Sequence, residues 1–452
     1  MIKILTLLAF YFLHNGLVFA APIATEVILH PTIVDAVGDR SVYASPFDYY
    51  KGEVFTVHVE PSDGSGKDGV NLRTVVRKGT RNANGQWLWT SSVLESRTIR
   101  DEYHTQASIA VDKLGYIHVA YNMHNMPWQY SVSKNPGDIS SWDFRGQAIT
   151  QSDIEKVKFL NQTPFPQLGS AAIPGNQVTY PMFFKDNLGD LYITYRYALK
   201  PALTWTQRAF AGGIAKYDTT SRLWKSVGGP LQITGMDAQL APGQLNATQM
   251  PFAFQEGYSV YLITLTFDQS NGMHAFWHWR DDGAGEKVTR PSYAYSPDGS
   301  RFYTSKGASY NLPVNINTAE IVANVAPINE YYAPKSAGVL VDGNPAVIFQ
   351  PASGGRTITD LNKKTGLWSA SELTPWGASE IVVDKAGNQW MFATGLQVFK
   401  RSTAGGNWVQ VGQIGTALGY PKVQYIPTEN LFVVHAKTSD GGKATMVSFK
   451  NQ

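Results

Sequence analysis

Residues 182–196 have the sequence MFFKDNLGDLYITYR, which is an apolar stretch, an Asp-x-x-Gly turn and a second apolar stretch. Two β-rich stretches on either side of a tight turn are typical of a β-hairpin. The pattern recurs along the chain, and this recurrence indicates the fold. The clearest copies are SIAVDKLGYIHVAYN (108–122), GVLVDGNPAVIFQ (338–350) and EIVVDKAGNQWMFATG (380–395), with weaker copies at 42–60, 252–267 and 423–437.

A second motif, a turn followed by a tryptophan, comes after most of these hairpins. Its copies are NANGQW, NPGDISSW, YDTTSRLW, LNKKTGLW and STAGGNW, and YAYSPDGSRFYTS takes its place in one unit. An inner and an outer hairpin together make a four-stranded unit. Seven such units predict an all-β protein, a seven-bladed β-propeller, in which the N-terminal strand ATEVILH (24–30) completes the last unit. A pair of β-sandwiches is the alternative fold.

The N-terminal residues have the organisation of a secretory signal peptide. Lys3 precedes a short apolar run, and Val18-Phe19-Ala20 ends at a plausible cleavage point. We therefore predict a signal peptide at 1–20, a single propeller domain at 21–452 and a secreted protein. The apolar run is too short to span a bilayer, and no other stretch approaches 18 apolar residues, so we expect no membrane association.

The composition narrows the class of protein. The 452 residues include no cysteine, which excludes disulfides and thiolate metal sites. A net charge of +3 with 16% charged residues is close to neutral, whereas a nucleic-acid binder would show a concentrated basic face, so we expect no nucleic-acid partner. The 12% of aromatic residues and the many glycines suit an all-β protein that binds sugars on aromatic surfaces.

Four side chains are predicted to meet at one end of the propeller axis. The first two strands of a blade are antiparallel, so the start of the first and the end of the second lie at the same face. His104 and His124 lie at equal distances from the turn of one unit, and Tyr180 and Arg196 do so in the next. At about 3.3 Å per residue, equal arms bring each pair within contact range. Each residue has a structural alternative: a core histidine, a packing tyrosine or a surface ion pair.

The chemistry of this cluster points to proton abstraction. It holds no pair of carboxylates for ordinary glycoside hydrolysis. A guanidinium suits a carboxylate, and imidazoles and a phenol can transfer protons. This set fits removal of the C5 proton of a uronate, with Arg196 offsetting the charge of the enolate and an acid protonating the leaving O4. No metal or redox cofactor is required. His118, in the middle of a strand, is interpreted as a core residue.

A resemblance to a known family rests on four stretches: YIHVAYNMHNMPWQYSVS, VTYPMFFKDNLGDLYITYR, MHAFWHWR and YAYSPDGS. They resemble the BNR-4 type propellers and, within them, the ulvan lyases of polysaccharide lyase families 24 and 25. The likeness runs by motif from about Glu102 to Ser300. It implies a secreted marine-bacterial enzyme that cleaves ulvan, a sulfated rhamnose–uronate polymer. The implied reaction is β-elimination at the bond between sulfated rhamnose and glucuronate or iduronate.

The resemblance also implies site residues. The family's catalytic histidine falls on His104, its second histidine on His124, its tyrosine on Tyr180 and its arginine on Arg196. The two pairs are 20 and 16 residues apart, which fits family 25 better than family 24. We assign Arg196 to the carboxylate with help from His124, Tyr180 to the acid, and His104 or Tyr180 to the base. The absence of cysteine argues against a structural zinc site and leaves room for calcium on loop carboxylates.

Other side chains are candidates for substrate binding. Asparagines flank His124, aromatic residues suit stacking on sugar rings, and MHAFWHWR supplies groups for sulfate or uronate. These candidates are Asn122, Asn125, Trp128, Trp205, Tyr293, His274, His278 and Arg280. Core packing is the alternative for the aromatic residues and is favoured for Trp277 and Trp279. Lys200, Arg208 and Lys216 are weaker candidates for sulfate contacts, and a solvated surface charge is the favoured interpretation of each.

Two other functions stay open. A sialidase-like or other glycoside hydrolase is suggested by SPDGS, which resembles a fragment of an Asp-box. Such an enzyme needs an arginine triad and a Tyr–Glu pair, which the sequence does not let us assemble. A non-catalytic carbohydrate-binding propeller would bind sugar without needing His104 or Tyr180.

Overall fold

The polypeptide folds as an all-β protein. The computed structural model describes residues 30–36, 44–61, 72–82, 87–98, 106–146, 173, 178–198, 210–228, 251–281, 287–322, 333–340, 342–350, 355–402, 406–413, 418–438 and 443–451. Of these residues, none belongs to a helix long and apolar enough to cross a membrane.

The strands are short and follow one another with tight turns. In the first half they are β1 (His30–Ala36), β2 (Phe47–Tyr50), β3 (Glu53–Pro61), β4 (Leu72–Arg81), β5 (Trp87–Thr98), β6 (Ser108–Val111), β7 (Ile117–Ala120), β8 (His124–Met126), β9 (Tyr130–Ser133), β10 (Trp142–Phe144), β11 (Val178–Lys185), β12 (Leu191–Ala198), β13 (Phe210–Asp218) and β14 (Leu223–Ser226). In the second half they are β15 (Tyr258–Phe267), β16 (Met273–Asp281), β17 (Lys287–Ser296), β18 (Glu320–Ile321), β19 (Ala333–Val339), β20 (Pro345–Gln350), β21 (Thr357–Asn362), β22 (Leu367–Trp368), β23 (Glu372–Leu373), β24 (Glu380–Val383), β25 (Gln389–Phe392), β26 (Gln397–Arg401), β27 (Val409–Gln413), β28 (Leu418–Ile426), β29 (Leu431–Thr438) and β30 (Lys443–Lys450). Single 3-10 turns lie at Pro375–Gly377 and Thr394–Leu396.

These strands pair as antiparallel meanders in six hydrogen-bonded sheets. Sheet I holds β2–β5, sheet II holds β6, β7, β9 and β10, sheet III holds β8 and β11–β18, sheet IV holds β19–β23, sheet V holds β24–β27, and sheet VI holds β28–β30 with β1. Sheet III consists of two meanders, β11–β14 and β15–β18, which are joined by one parallel residue pair, Phe210 with Ser259. The hairpins predicted from the Asp-x-x-Gly and tryptophan motifs are confirmed, whereas the weaker copy predicted at 252–267 is wrong. There β15 (Tyr258–Phe267) is one continuous strand, and its hairpin partner is β16 (Met273–Asp281).

The same turn construction occurs in four inner hairpins, three with the sequence Asp-x-x-Gly and one, at Asp268, with left-handed Asn271 in the place of the glycine. One carboxylate oxygen of the aspartate accepts hydrogen bonds from the backbone N–H groups two and four residues on, at 2.8–3.0 Å. The other oxygen lies 2.9–3.5 Å from a ring or hydroxyl group six residues on. The aspartate and ring pairs are Asp112 with His118, Asp186 with Tyr192, Asp268 with His274, and Asp384 with Trp390.

The last sheet includes an N-terminal strand and packs on the first sheet. Strand β1 pairs with β30, so an N-terminal strand completes the C-terminal sheet as predicted, although it runs over His30–Ala36. Residues 24–29 of the predicted strand lie outside the described residues. Sheet VI also packs on sheet I, because Gln424 Oε1 accepts from the Tyr49 backbone N–H at 2.9 Å, and buried His58 and His435 meet Nε2 to Nε2 at 3.0 Å.

The hydrophobic core lies between neighbouring sheets. Apolar clusters join sheet I to sheet II, sheet II to sheet III, sheet V to sheet VI and sheet VI to sheet I. Trp277 and Trp279 are fully buried in the second meander of sheet III, which confirms their interpretation as core residues. His118 is also buried and bonds to Tyr130 and Asp112, so its interpretation is confirmed. Removing the apolar side chains of these clusters from water stabilises the folded state by roughly 25 cal/mol per Å² of apolar surface buried.

Candidate functional site

The segment that follows β7 crosses from sheet II to sheet III. Strand β7 ends at Ala120, and β8 then pairs with β11, with His124 opposite Thr179, before the chain returns to sheet II as β9. His124 therefore does not extend the second strand of its own unit, as equal hairpin arms had predicted. Asn122 and Asn125 adopt left-handed conformations with φ of 56° and 55°, which asparagine tolerates better than most residues.

Tyr180 lies on a bulge at the start of β11. The register with β12 shifts between Thr179 and Met182, and Tyr180 has a φ of 58°. A bulky residue in the left-handed region is strained, and strained residues and bulges concentrate at functional sites. The second meander of sheet III repeats this device, because Leu262 has a φ of 50° beside a register shift after Tyr261.

Arg196 is buried at the centre of the site, with 4% of its surface exposed. Its Nη2 donates to Asn125 Oδ1 at 3.0 Å and to Thr179 Oγ1 at 3.2 Å. Its guanidinium carbon lies 5.0 Å from the Tyr180 ring centre and 4.6 Å from that of Tyr261. Among the described residues no carboxylate forms an ion pair with Arg196, and its Nε has no hydrogen-bond partner. A desolvated cation held only by neutral groups favours an anionic ligand.

Tyr261 joins Arg196 to a second cationic side chain. Arg280 donates from Nη1 to the Tyr261 hydroxyl at 2.6 Å, and the His278 ring stacks on Tyr261 with centres 5.6 Å apart. The Tyr180 and Tyr261 ring centres are also 5.6 Å apart. No sequence motif singled out Tyr261, because its place in the site depends on the bulge. Tyr261 precedes the left-handed residue Leu262, as Thr179 precedes Tyr180 in the first meander.

The structure thus brings together six of the predicted site residues. His124 pairs with Thr179, Thr179 pairs with Arg196, and Tyr261 pairs with His278 across adjacent strands. Asn125, Tyr180 and Arg280 contact members of this row. His104 and Trp205 lie outside the described residues. The predicted contact between Tyr180 and Arg196 is present.

A family model described as the BNR repeat-containing family matches residues 70–376, which include this whole row. The chain belongs to the BNR repeat-containing family. No curated protein matches the sequence of this BNR repeat-containing chain.

Solved structures share the fold of this family member. The structure of a polysaccharide lyase called Uly1 is 13% identical, with a TM-score of 0.61 over 90% of each chain. A polysaccharide lyase family 25 ulvan lyase is 14% identical, with a TM-score of 0.57 over 92% of this chain and 93% of the other. A polysaccharide lyase family 25 ulvan lyase bound to -[GlcA(1-4)Rha3S]- is 14% identical, with a TM-score of 0.57 over 91% of this chain and 93% of the other. At this identity the likeness establishes a propeller-like fold.

His274 of the BNR repeat-containing chain lies at the opposite end of its strand from the site, which corrects its assignment to substrate binding. It follows the hairpin turn directly, 3.5 Å from Asp268, and its Nδ1 lies 2.8 Å from the Tyr293 hydroxyl. Burial lowers the pKa of His274 and raises that of Tyr293, so both stay neutral. Tyr293 is buried against Trp368 and offers no face to a sugar ring.

Two further candidates of the family member serve the scaffold. Trp128 is 1% exposed and packs edge-on against Tyr195 at 4.9 Å, because β8 and β9 fold it into the core between sheets II and III. Lys216, a weaker candidate for a sulfate contact, pairs with Asp190 at 2.8 Å at the turn end, in keeping with the favoured interpretation as a surface charge. Lys200 and Arg208 lie outside the described residues. The described part of the chain holds no group of three or more side chains suited to a metal ion.

Proposed function

We propose that this protein is a polysaccharide lyase that cleaves ulvan by β-elimination next to glucuronate or iduronate. The observation that carries the proposal is Arg196, a buried cation without a carboxylate partner among the described residues, beside the phenol of Tyr180. A uronate carboxylate supplies the missing charge, and a uronate carries the acidic C5 proton next to it. The fold neighbours that are ulvan lyases support this choice of polymer.

The proposed reaction uses side chains of the site alone. Arg196 binds the carboxylate of the uronate and offsets the charge that develops on it. A base, His104 or Tyr180, removes the C5 proton. The electron pair forms the C4–C5 double bond while the C4–O4 bond breaks, and Tyr180 protonates the leaving O4. His124 and Asn125 assist at the carboxylate. A structural calcium ion stays a prediction.

The bulge at Tyr180 suits this role. A strained left-handed conformation persists only where the surroundings fix it, and the Arg196 guanidinium and the Tyr261 ring both pack against the Tyr180 side chain. A phenol fixed close to the cation allows the proton to be transferred at the place where Arg196 compensates the developing charge.

The number and closure of the blades are part of the same proposal. We infer a ring of seven blades, made by sheets I, II, IV, V and VI and the two meanders of sheet III. Contacts between the first strands of successive sheets and the packing of sheet VI on sheet I support this inference. The row of site residues would then lie at one mouth of the ring. We also propose that residues 1–20 are a signal peptide and that the mature protein acts outside the cell.

The decisive experiment is an ultraviolet assay for the unsaturated uronate. Purified mature protein is mixed with ulvan, and absorbance of the conjugated product is followed. We expect a rise that falls by at least ~10²-fold in Tyr180→Phe. Tyr303→Phe, a partly buried tyrosine elsewhere in the second meander of sheet III, is the matched control and should keep full activity. New reducing ends without absorbance would show hydrolysis and overturn the proposal, as would unchanged turnover in Tyr180→Phe.

A further inference from the structure

A pocket lies at the opposite end of the strands from the candidate site. It has a volume of about 270 Å³ and opens between sheet II and the first meander of sheet III. Its walls carry Tyr116, Lys134, Asp143, Arg145, Tyr217 and Arg222. Tyr116 follows the Asp112 turn directly, and Arg222 lies in the turn between β13 and β14, so the pocket belongs to the turn end.

The pocket has an excess of positive charge. Three cationic side chains face one carboxylate, Asp143, which already accepts from Arg145 Nε at 2.8 Å. Neither Lys134 nor Arg222 forms an ion pair with any carboxylate that the structure describes. The charge that remains uncompensated favours an anion.

The backbone and its neighbours hold Arg222 in place. Arg222 has a φ of 57°, and its N–H donates to the Asp218 carbonyl at 2.7 Å. Its guanidinium lies 4.8 Å from the Tyr116 ring centre and donates from Nη2 to the Tyr116 hydroxyl at 3.1 Å. Arg145 Nη1 donates to the Arg222 carbonyl at 3.3 Å. An arginine already oriented in this way loses little freedom when it binds an oxyanion through two N–H groups.

The rest of the pocket lining carries no charge and consists of two tyrosines, a valine and a serine. Burial raises the pKa of Tyr217, so its phenol stays protonated and can donate a hydrogen bond. The volume is near the lower limit for pockets that bind small molecules, which leaves room for one sugar unit with its charged group.

We propose that this pocket, named here the turn-end pocket, is a second binding site for an anionic sugar unit of the polysaccharide. This inference rests on the proposed function. The shared chemistry of the ligand is an oxyanion on a sugar ring, carried either by a sulfate ester or by a uronate carboxylate. β12 has eight residues and is about 26 Å long at ~3.3 Å per residue. Only a long chain can reach both sites, and two attachments raise apparent affinity for the polymer.

Binding is tested without turnover, in the Tyr180→Phe background, by affinity electrophoresis in gels that contain ulvan. We expect Arg222→Ala to weaken retention by roughly 5- to 10-fold, because a bidentate charged contact is lost. Lys134→Ala tests the same pocket without touching a left-handed residue and should weaken retention as well. Lys364→Ala, an exposed lysine at the turn end of sheet IV, is the matched control and should bind normally. Retention of Arg222→Ala and Lys134→Ala equal to that of Lys364→Ala would overturn the proposal.

Two further arms identify the charged group and separate the two hypotheses. If Arg222→Ala no longer weakens retention on chemically desulfated polymer, the pocket binds sulfate. If the substitution no longer weakens retention on carboxyl-reduced polymer, the pocket binds uronate. In otherwise wild-type protein, Arg222→Ala should raise KM for the polymer and leave kcat and the cleavage of short oligosaccharides unchanged. Weaker binding in Arg222→Ala with no cleavage by the wild type would refute the proposed lyase alone. Cleavage with unaltered binding in both pocket variants would refute the turn-end pocket alone.

Discussion

Arg196 shows how one residue can define a site. Its neighbours Asn125, Thr179, Tyr180 and Tyr261 supply hydrogen bonds and ring faces and carry no negative charge. A buried cation that served only the fold would be expected to bind a carboxylate, since a desolvated charge without one is costly. The arrangement is therefore poised for an anion from outside the protein.

Arg196→Lys tests whether the shape of the cation matters. Lysine keeps the charge but loses the planar fork and much of the contact with the two rings. We expect kcat/KM on ulvan to fall by roughly 10²-fold while the protein stays folded, as followed by absorbance and circular dichroism. Arg301→Lys, an exposed arginine in the loop after β17, is the control. Equal activity in both variants would show that Arg196 acts only as a point charge.

Two substitutions of Tyr261 distinguish the role of its hydroxyl, which accepts from Arg280, from the role of its ring, which contacts Arg196. Tyr261→Phe removes the acceptor of the Arg280 hydrogen bond but keeps the ring on Arg196, and we expect a rise in KM of about 3- to 10-fold. Tyr261→Ala also removes the ring and should lower kcat, because Arg196 loses a wall that orients it. If both variants have the same KM and kcat, the ring has no positioning role.

At the scale of the element, the hairpins could be predicted because their cause is local. An aspartate, a left-handed glycine and a ring six residues after the aspartate all lie within one turn. Strand β8 could not be predicted in the same way, since its partner β11 belongs to a different sheet from the flanking strands β7 and β9 and begins 52 residues after Met126, where β8 ends. His274 was assigned to the wrong end of its strand for a related reason. The motif of aromatic and basic residues suggested the site, but His274 follows the Asp268 turn and therefore lies at the turn end.

Asp384→Ala tests the construction of the turn. The substitution removes acceptors for the N–H groups of Ala386 and Asn388 and for Trp390 Nε1. We expect a loss of about 2–4 kcal/mol in the free energy of unfolding, measured by chemical denaturation. Asp342→Ala removes an aspartate from an exposed turn of sheet IV and should cost no more than ~1 kcal/mol. Equal losses would mean that the buried ring contact contributes nothing.

At the scale of the whole molecule, one buried carboxylate joins four regions. Asp48 of sheet I accepts from the Val111 N–H of sheet II at 2.6 Å and from Gln424 Nε2 of sheet VI at 2.9 Å, and it pairs with Lys185 of sheet III. The number of strand repeats predicted a closed arrangement, but these contacts depend on which sheets become neighbours in space. The sequence therefore indicated Tyr180 and Arg196, and the packing revealed Tyr261 and the turn-end pocket.

Buried histidines should make the whole fold sensitive to mild acid. Burial lowers the pKa of His58, His118, His274 and His435 below 6.5 in the folded state. The unfolded chain then binds more protons than the folded one, so stability is full above pH ~6.5 and falls as the pH drops below it. Each histidine contributes up to about 1.4 kcal/mol per pH unit in that range.

Thermal unfolding between pH 8 and pH 5 measures this effect. We expect Tm to stay level down to about pH 6.5 and then to fall. His435→Gln removes one titrating group and also disturbs the seam with His58, so it should lower Tm at pH 8 and flatten the decline. A decline that begins only near pH 4 would assign acid sensitivity to carboxylates instead.

The pairing of β1 with β30 also sets an order of events during synthesis. Strand β1 leaves the ribosome before every other strand named here, and its partner β30 leaves last. Sheet VI therefore stays open while the rest of the chain is translated, and β1 must wait as a single unpaired strand that a holding chaperone can bind. On a ribosome stalled before Lys443, we expect β28 and β29 to be cut by protease and the earlier sheets to resist. Resistance of sheet VI at that stage would contradict this order.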